Sequence, residues 1–143
     1  MRELLWMILT GFVGSFAFAV LYNIRGKKLI FAGLGCLISV GVYGLLSLVI
    51  ESTVLCYFIV ALLISAFAEL MARVLKSPAT TFITISLIPL VPGGALYNTM
   101  AYTFKGDWLN FFENAIYTLS LTIALALGIV FVSAATKMIY RIK

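Results

Sequence analysis

Apolar runs of about 20 residues recur along this chain, each cut off by a short polar or charged turn. This is the feature that constrains it most. A helix of about 20 apolar residues spans the roughly 30 Å hydrocarbon core of a bilayer. Only helices and closed barrels satisfy their own backbone groups in that medium. The runs fall at about Leu4–Tyr22, Leu29–Ile50, Thr53–Leu75, Pro78–Phe104 and Glu113–Thr136. Of 143 residues, 64% are hydrophobic and 10% charged, whereas soluble domains have about 45–50% and about 25%. A water-soluble globule would lack polar surface, and a disordered chain would be far more polar. The expected fold is an all-α membrane protein: a bundle of about five transmembrane helices forming one domain over residues 1–143, the fourth helix broken near the midplane.

Charge placement sets orientation. The net charge of +5 does not point to nucleic acid, because the cations flank apolar runs and form no stripe. Five crossings put Arg25, Lys27, Lys28, Arg73, Lys76, Lys137, Arg141 and Lys143 on one side and Arg2 and Lys105 on the other. The positive-inside rule then predicts an outside N-terminus and a cytoplasmic C-terminus in a multi-pass plasma-membrane protein. A re-entrant fourth segment would give a poorer split, so a complete but broken crossing is favoured. Ala17-Phe18-Ala19 has the form of a signal cleavage site, but the cations just downstream oppose export of that segment. Cys36 and Cys56 stand alone in separate runs and suggest neither a redox motif nor a disulfide.

Small residues at four-residue spacing suggest helix seams: Gly11, Ser15 and Ala19; Ala61, Ser65, Ala68 and Ala72; Ser120, Ala124 and Gly128. Whether these meet other helices of the chain, a second copy or another subunit is open at this stage. Asn23 suits a helix end, and Trp6, Tyr22, Trp108 and Tyr140 suit the membrane interface.

The most informative segment is Ser77 to Asn98. Ser77 and Pro78 read as a cap and first helical residue. Pro89 and Pro92 interrupt the helix ladder and release the carbonyls of Ile85 and Ile88, and Gly93-Gly94 allows a sharp bend. At 1.5 Å per residue, the break lies about 17–21 Å into the crossing. Unpaired backbone there must face protein or a wet cavity. A second half-helix, predicted from about Ala95, would present free N–H groups of the kind that bind carboxylates in discontinuous transporter helices. Ser77, Thr80, Thr81 and Thr84 share a face of the first half, and Tyr97 and Asn98 lie in the first turns of the second. The candidate substrate-binding residues are Thr81, Thr84, Pro89, Pro92, Gly93, Gly94, Tyr97 and Asn98. The simpler reading is a proline kink in a packed helix with the threonines bonded to their own backbone. Glu69, the only carboxylate well inside a run, is a candidate for proton coupling or an ion-pair partner of Arg73.

Nothing in the chain calls for a cofactor or a metal. It has no histidine, no phosphate loop and no paired intramembrane carboxylates, so an enzyme is not expected.

Pro89-x-x-Pro92-Gly93-x-x-x-Tyr97, preceded by Pro78 and Phe82, and the weaker Phe18-x-x-x-x-Asn23, resemble the threonine/serine exporter family in its small-subunit, five-span form. The resemblance implies a transporter half-unit working with a larger five-span subunit in the bilayer. It implies proton-driven export of threonine, serine or a dicarboxylate such as succinate, with Pro89, Pro92, Gly93 and Tyr97 as motif positions. A structural or anchoring subunit without a substrate site, or a homo-oligomer, are the competing expectations.

Overall fold

The computed structural model describes residues 2–141, with side-chain surroundings for residue 6 and residues 9–139. The expected start of the first run at Leu4, the Tyr140 anchor and the tail cation Lys143 lie outside those side-chain descriptions. The described chain is all helix: α1 (Arg2–Leu21), α2 (Lys27–Leu46), α3 (Thr53–Val74), α4 (Ala79–Leu87), a 3-10 turn (Ile88–Leu90), α5 (Gly93–Lys105) and α6 (Trp108–Arg141).

Three of these helices, α2, α3 and α6, are long and apolar enough to cross a membrane, and the bent α4–α5 pair makes a fourth if it is one broken span. Three to four candidate crossings among the described residues stand where five were expected. α1 is an apolar helix of 20 residues, of which Leu9–Leu21 is the continuous part with described side chains. The fifth expected run is also longer than its apolar stretch: α6 has 34 residues, about 51 Å of continuous helix at 1.5 Å per residue.

Local signals explain the helix ends. After α1, Asn23 adopts the left-handed conformation (φ 56°). The Asn23 N–H then donates to Val20 O (2.9 Å) and the Ile24 N–H to Ala19 O (3.0 Å). This is a Schellman closure, and it folds Ile24 inward onto Ala19. Lys76 (φ 47°) ends α3 in the same way, with Ser77 N–H donating to Ala72 O at 2.9 Å. Gly106 (φ 69°) ends α5, with Asp107 N–H donating to Tyr102 O at 3.1 Å. Asp107 in turn caps α6: its Oδ1 accepts from the Asn110 N–H (3.3 Å) and its Oδ2 from Asn110 Nδ2 (2.7 Å). Those bonds hold the Asp107 carboxyl below its ordinary value of 3.8, the Asn110 side chain contributing most.

Small residues bring the helices together. A methyl on Gly128 of α6 would stand 2.6 Å from Ala61 Cβ of α3, and one on Gly35 of α2 would collide with the Ser86 hydroxyl of α4. Ser15, Ala19, Ala61, Ser65 and Ala68 are all buried. Within the first seam, the Cys36 thiol donates to Ser15 Oγ at 3.1 Å. The seams therefore lie within this chain. Ala19, Ile24, Ala32, Ala68, Ala72, Phe82 and Ile85 form one core cluster; Val60, Ile64, Leu87 and Leu90 form another.

Direction follows from matched contacts. Ser52, the cap residue of α3, and Leu55 and Phe58 within it share a groove with Ser120, Ala124 and Leu127 of α6, and Gly128 meets Ala61. Numbers rise together, so α3 and α6 run parallel.

Candidate functional site

The segment from Pro78 to Asn98 forms two half-helices set 56° apart. Pro89 lies in the 3-10 turn, and Val91 and Pro92 form the joint, where Pro92 (φ −74°, ψ 56°) precedes the first residue of α5. The Ile88 carbonyl, expected to be free, accepts the Val91 N–H at 3.2 Å. The second half-helix starts at Gly93, two residues before the predicted Ala95, because Gly93 N–H closes onto Val91 O (2.7 Å) and Leu96 N–H onto Pro92 O (3.0 Å). Between them, the Gly94 and Ala95 amides have no acceptor among the described residues. Gly93 and Gly94 are exposed, with open space where a Cβ would point.

The candidate residues divide into two places. Thr81 and Thr84 line a recess of about 210 Å³ with Tyr22, Ile24, Thr80 and Ile85. That recess opens between the end of α1 and α4. Gly93, Gly94 and Asn98 are not among its lining residues, and Tyr97 instead lines a groove of about 420 Å³ with Met100, Ala101, Phe104 and Lys105. The expected single site, hydroxyls beside the second half-helix's N-terminus, is thus two separate features within this chain. The bend is the physical cause. It swings α5 away from the bundle, so that α5 packs on α6 and buries none of its own residues. Pro89 stays behind, half-buried against Gly11 of α1.

The remaining predicted positions are placed as follows. Ser77 does not cap α4; its hydroxyl donates to Leu75 O at 3.3 Å, and Pro78 precedes the helix as its cap residue. Glu69 forms an ion pair with Arg73 (3.5 Å), one helical turn apart. Tyr22 and Ile24 were not recognised from sequence as neighbours of the threonines. Asn23 was the available signal, because a left-handed Asn at a helix end turns the next residue back onto the bundle.

Apolar helices long enough to span a bilayer, one of them broken at a proline–glycine joint with open amides, define a polytopic membrane protein of transporter type. The family comparison gives the particular assignment: residues 7–135 match the family model described as Threonine/Serine exporter, ThrE. The chain belongs to that family. No curated protein and no solved structure gives a significant match to it.

Proposed function

We propose that this chain is one subunit of a secondary transporter that exports small carboxylate-bearing metabolites, either threonine- or serine-like amino acids or a dicarboxylate such as succinate. Export is proton-coupled and takes place in the plasma membrane, together with a larger five-span subunit of the same family. The observation that carries this reading is the open joint at Pro92–Gly93, within a chain whose match to an exporter family extends over residues 7–135. Free amides at a half-helix N-terminus attract a carboxylate, and in hydrocarbon they require a partner surface or water. α5 leaves them uncovered by its own chain, which fits a substrate passage completed by a second subunit. Tyr97 and Asn98, exposed one turn on, are the polar side chains that follow that joint first in sequence.

Topology supports the same reading. If α1 is a crossing, the chain has five, and the parallel course of α3 and α6 favours a complete broken crossing by α4–α5 over a re-entrant hairpin. The basic loops then face the cytoplasm, with the N-terminus outside. Glu69 remains a candidate for the proton step, since release from Arg73 would free its carboxylate. The anchoring alternative rested on small-residue seams, and those residues are occupied within the chain.

The test is efflux of threonine, serine and succinate from cells expressing this chain with a larger family subunit. Pro92→Ala and Gly93→Leu should abolish efflux while the protein still inserts. Unchanged efflux in both variants would reject the reading.

A further inference from the structure

We propose that the recess between the end of α1 and the start of α4 is a separate docking station for the carboxylate of a small solute, distinct from the α4–α5 joint. The proposal rests on the transport reading and refines it, by adding Tyr22 and Thr80 to Thr81 and Thr84 as the groups that capture the solute.

Unused hydroxyls are the first argument. A threonine within a helix commonly turns its hydroxyl back to the carbonyl four residues earlier. Thr99, Thr103, Thr118, Thr122 and Thr136 all do so, at 2.7–3.2 Å. Thr80, Thr81 and Thr84 make no such bond among the described residues, and all three line the recess. For Thr84 an acceptor four residues back exists, the Thr80 carbonyl inside α4, so its free hydroxyl is not forced by position. Three hydroxyl-bearing residues along one recess suit the oxygens of an anion, which accept hydrogen bonds more strongly than neutral groups do.

Shape and charge give the rest. Ile24 and Ile85 supply an apolar floor, and Tyr22 adds a phenol at the edge. A volume of about 210 Å³ is enough for a metabolite with few heavy atoms. No acidic side chain among the described residues lines it. Arg25, Lys27 and Lys28 follow Ile24 closely, and Lys76 stands just before Pro78, so the chain segments on both sides of the recess are cationic. Such a field concentrates anions at the mouth. The Schellman turn at Asn23 builds the wall, because it carries Ile24 back against Ala72, Phe82 and Ile85.

The same chemistry would suit the phosphate of an anionic lipid headgroup, so the experiment separates the two. The full-length chain is reconstituted in phosphatidylcholine vesicles, and equilibrium binding of radiolabelled succinate and of L-threonine is measured as a response to solute concentration. The expected result is saturable binding of one or both solutes. Thr81→Val with Thr84→Val should weaken it about tenfold or more, as loss of hydrogen bonds to a charged group requires. Thr81→Ser with Thr84→Ser should preserve it, which separates a lost hydroxyl from a misfolded helix. Absence of response to either solute, a response only on adding phosphatidylglycerol, or an isotherm indifferent to the valines would each overturn the station. Efflux by the co-expressed pair tests the transport reading separately. Solute binding without efflux rejects transport and leaves the station standing. Wild-type efflux with unchanged KM in the valine variant rejects the station and leaves transport standing.

Discussion

Pro89 of the broken segment sits on Gly11 of α1: a methyl on Gly11 would lie 3.3 Å from Pro89 Cβ and 3.3 Å from Val40 Cγ2. Three chain segments meet there, and the joint that follows is held on one side only. Gly11→Ala asks neighbours to yield by a few tenths of an ångström and should change stability little. Gly11→Leu has no room without moving Pro89 or α2, and overpacking of this kind costs about 1–3 kcal/mol. Thermal unfolding of the two variants in detergent, followed by circular dichroism, checks this. Equal midpoints would mean that Pro89 is not seated on α1.

The α3–α6 contact makes a sharper demand. A Cβ on Gly128 would come 2.6 Å from Ala61 Cβ and 3.1 Å from the Phe58 carbonyl, and neither is a flexible chain end. Gly128→Ala should therefore destabilise by about 1–3 kcal/mol through helix separation. Gly14→Ala is the matched control, since a methyl there meets open space. It should be neutral or stabilising, by up to about 1 kcal/mol from helix propensity. Detergent unfolding midpoints that move alike in both variants would show that close approach at Gly128 is not what holds α6.

Much of this arrangement was legible in the sequence because lipid reduces the choices. Apolar length located α2, α3 and the core of α6. Two prolines followed by Gly-Gly located the broken helix, since no intact ladder survives that string. The four-residue spacing of Gly11, Ser15 and Ala19 identified a seam, and the structure shows which surface it meets. The split of the candidate site was not legible. Helical periodicity places Thr81 and Thr84 on a face but cannot say that a 56° bend carries Gly93 and Tyr97 to another part of the molecule. The length of α6 was hidden for a related reason. Its polar first turns read as loop, and only the Asp107–Asn110 cap, whose bonding is visible in the folded chain alone, makes them helix.

Gly35 and Ser86 form a testable pair. A methyl on Gly35 would overlap the Ser86 hydroxyl and lie 3.1 Å from both Ser86 Cβ and a Phe67 ring carbon. That hydroxyl is fully buried and has no hydrogen-bond partner among the described residues. Ser86→Ala removes an unsatisfied polar group and should be neutral or stabilising. Gly35→Ala alone should destabilise, and Gly35→Ala with Ser86→Ala should recover part of the loss, the remainder coming from Phe67. A double-mutant cycle on unfolding free energies measures the coupling, expected at about 0.5–3 kcal/mol for residues in contact. Strict additivity would show that the two positions do not touch.

The cap on α6 makes stability depend on pH. Asp107 is held below its ordinary carboxyl value, first by the Asn110 side chain and then by the Asn110 backbone amide. A depressed folded value means that the native state favours the ionised form. The stabilisation is therefore complete above the ordinary carboxylate range and is lost as pH falls through and below it. Asp107→Asn keeps an oxygen for the Asn110 amide but has no proton to gain. Its unfolding midpoint should therefore depend less steeply on pH at the acid end and lie somewhat below wild type near neutrality, because the charge and the bond from Asn110 Nδ2 are lost. Asp107→Ala should lower the midpoint near neutrality, because both Asn110 bonds are lost. Parallel midpoint-against-pH curves for wild type and Asp107→Asn would show that the carboxylate does not hold the start of α6.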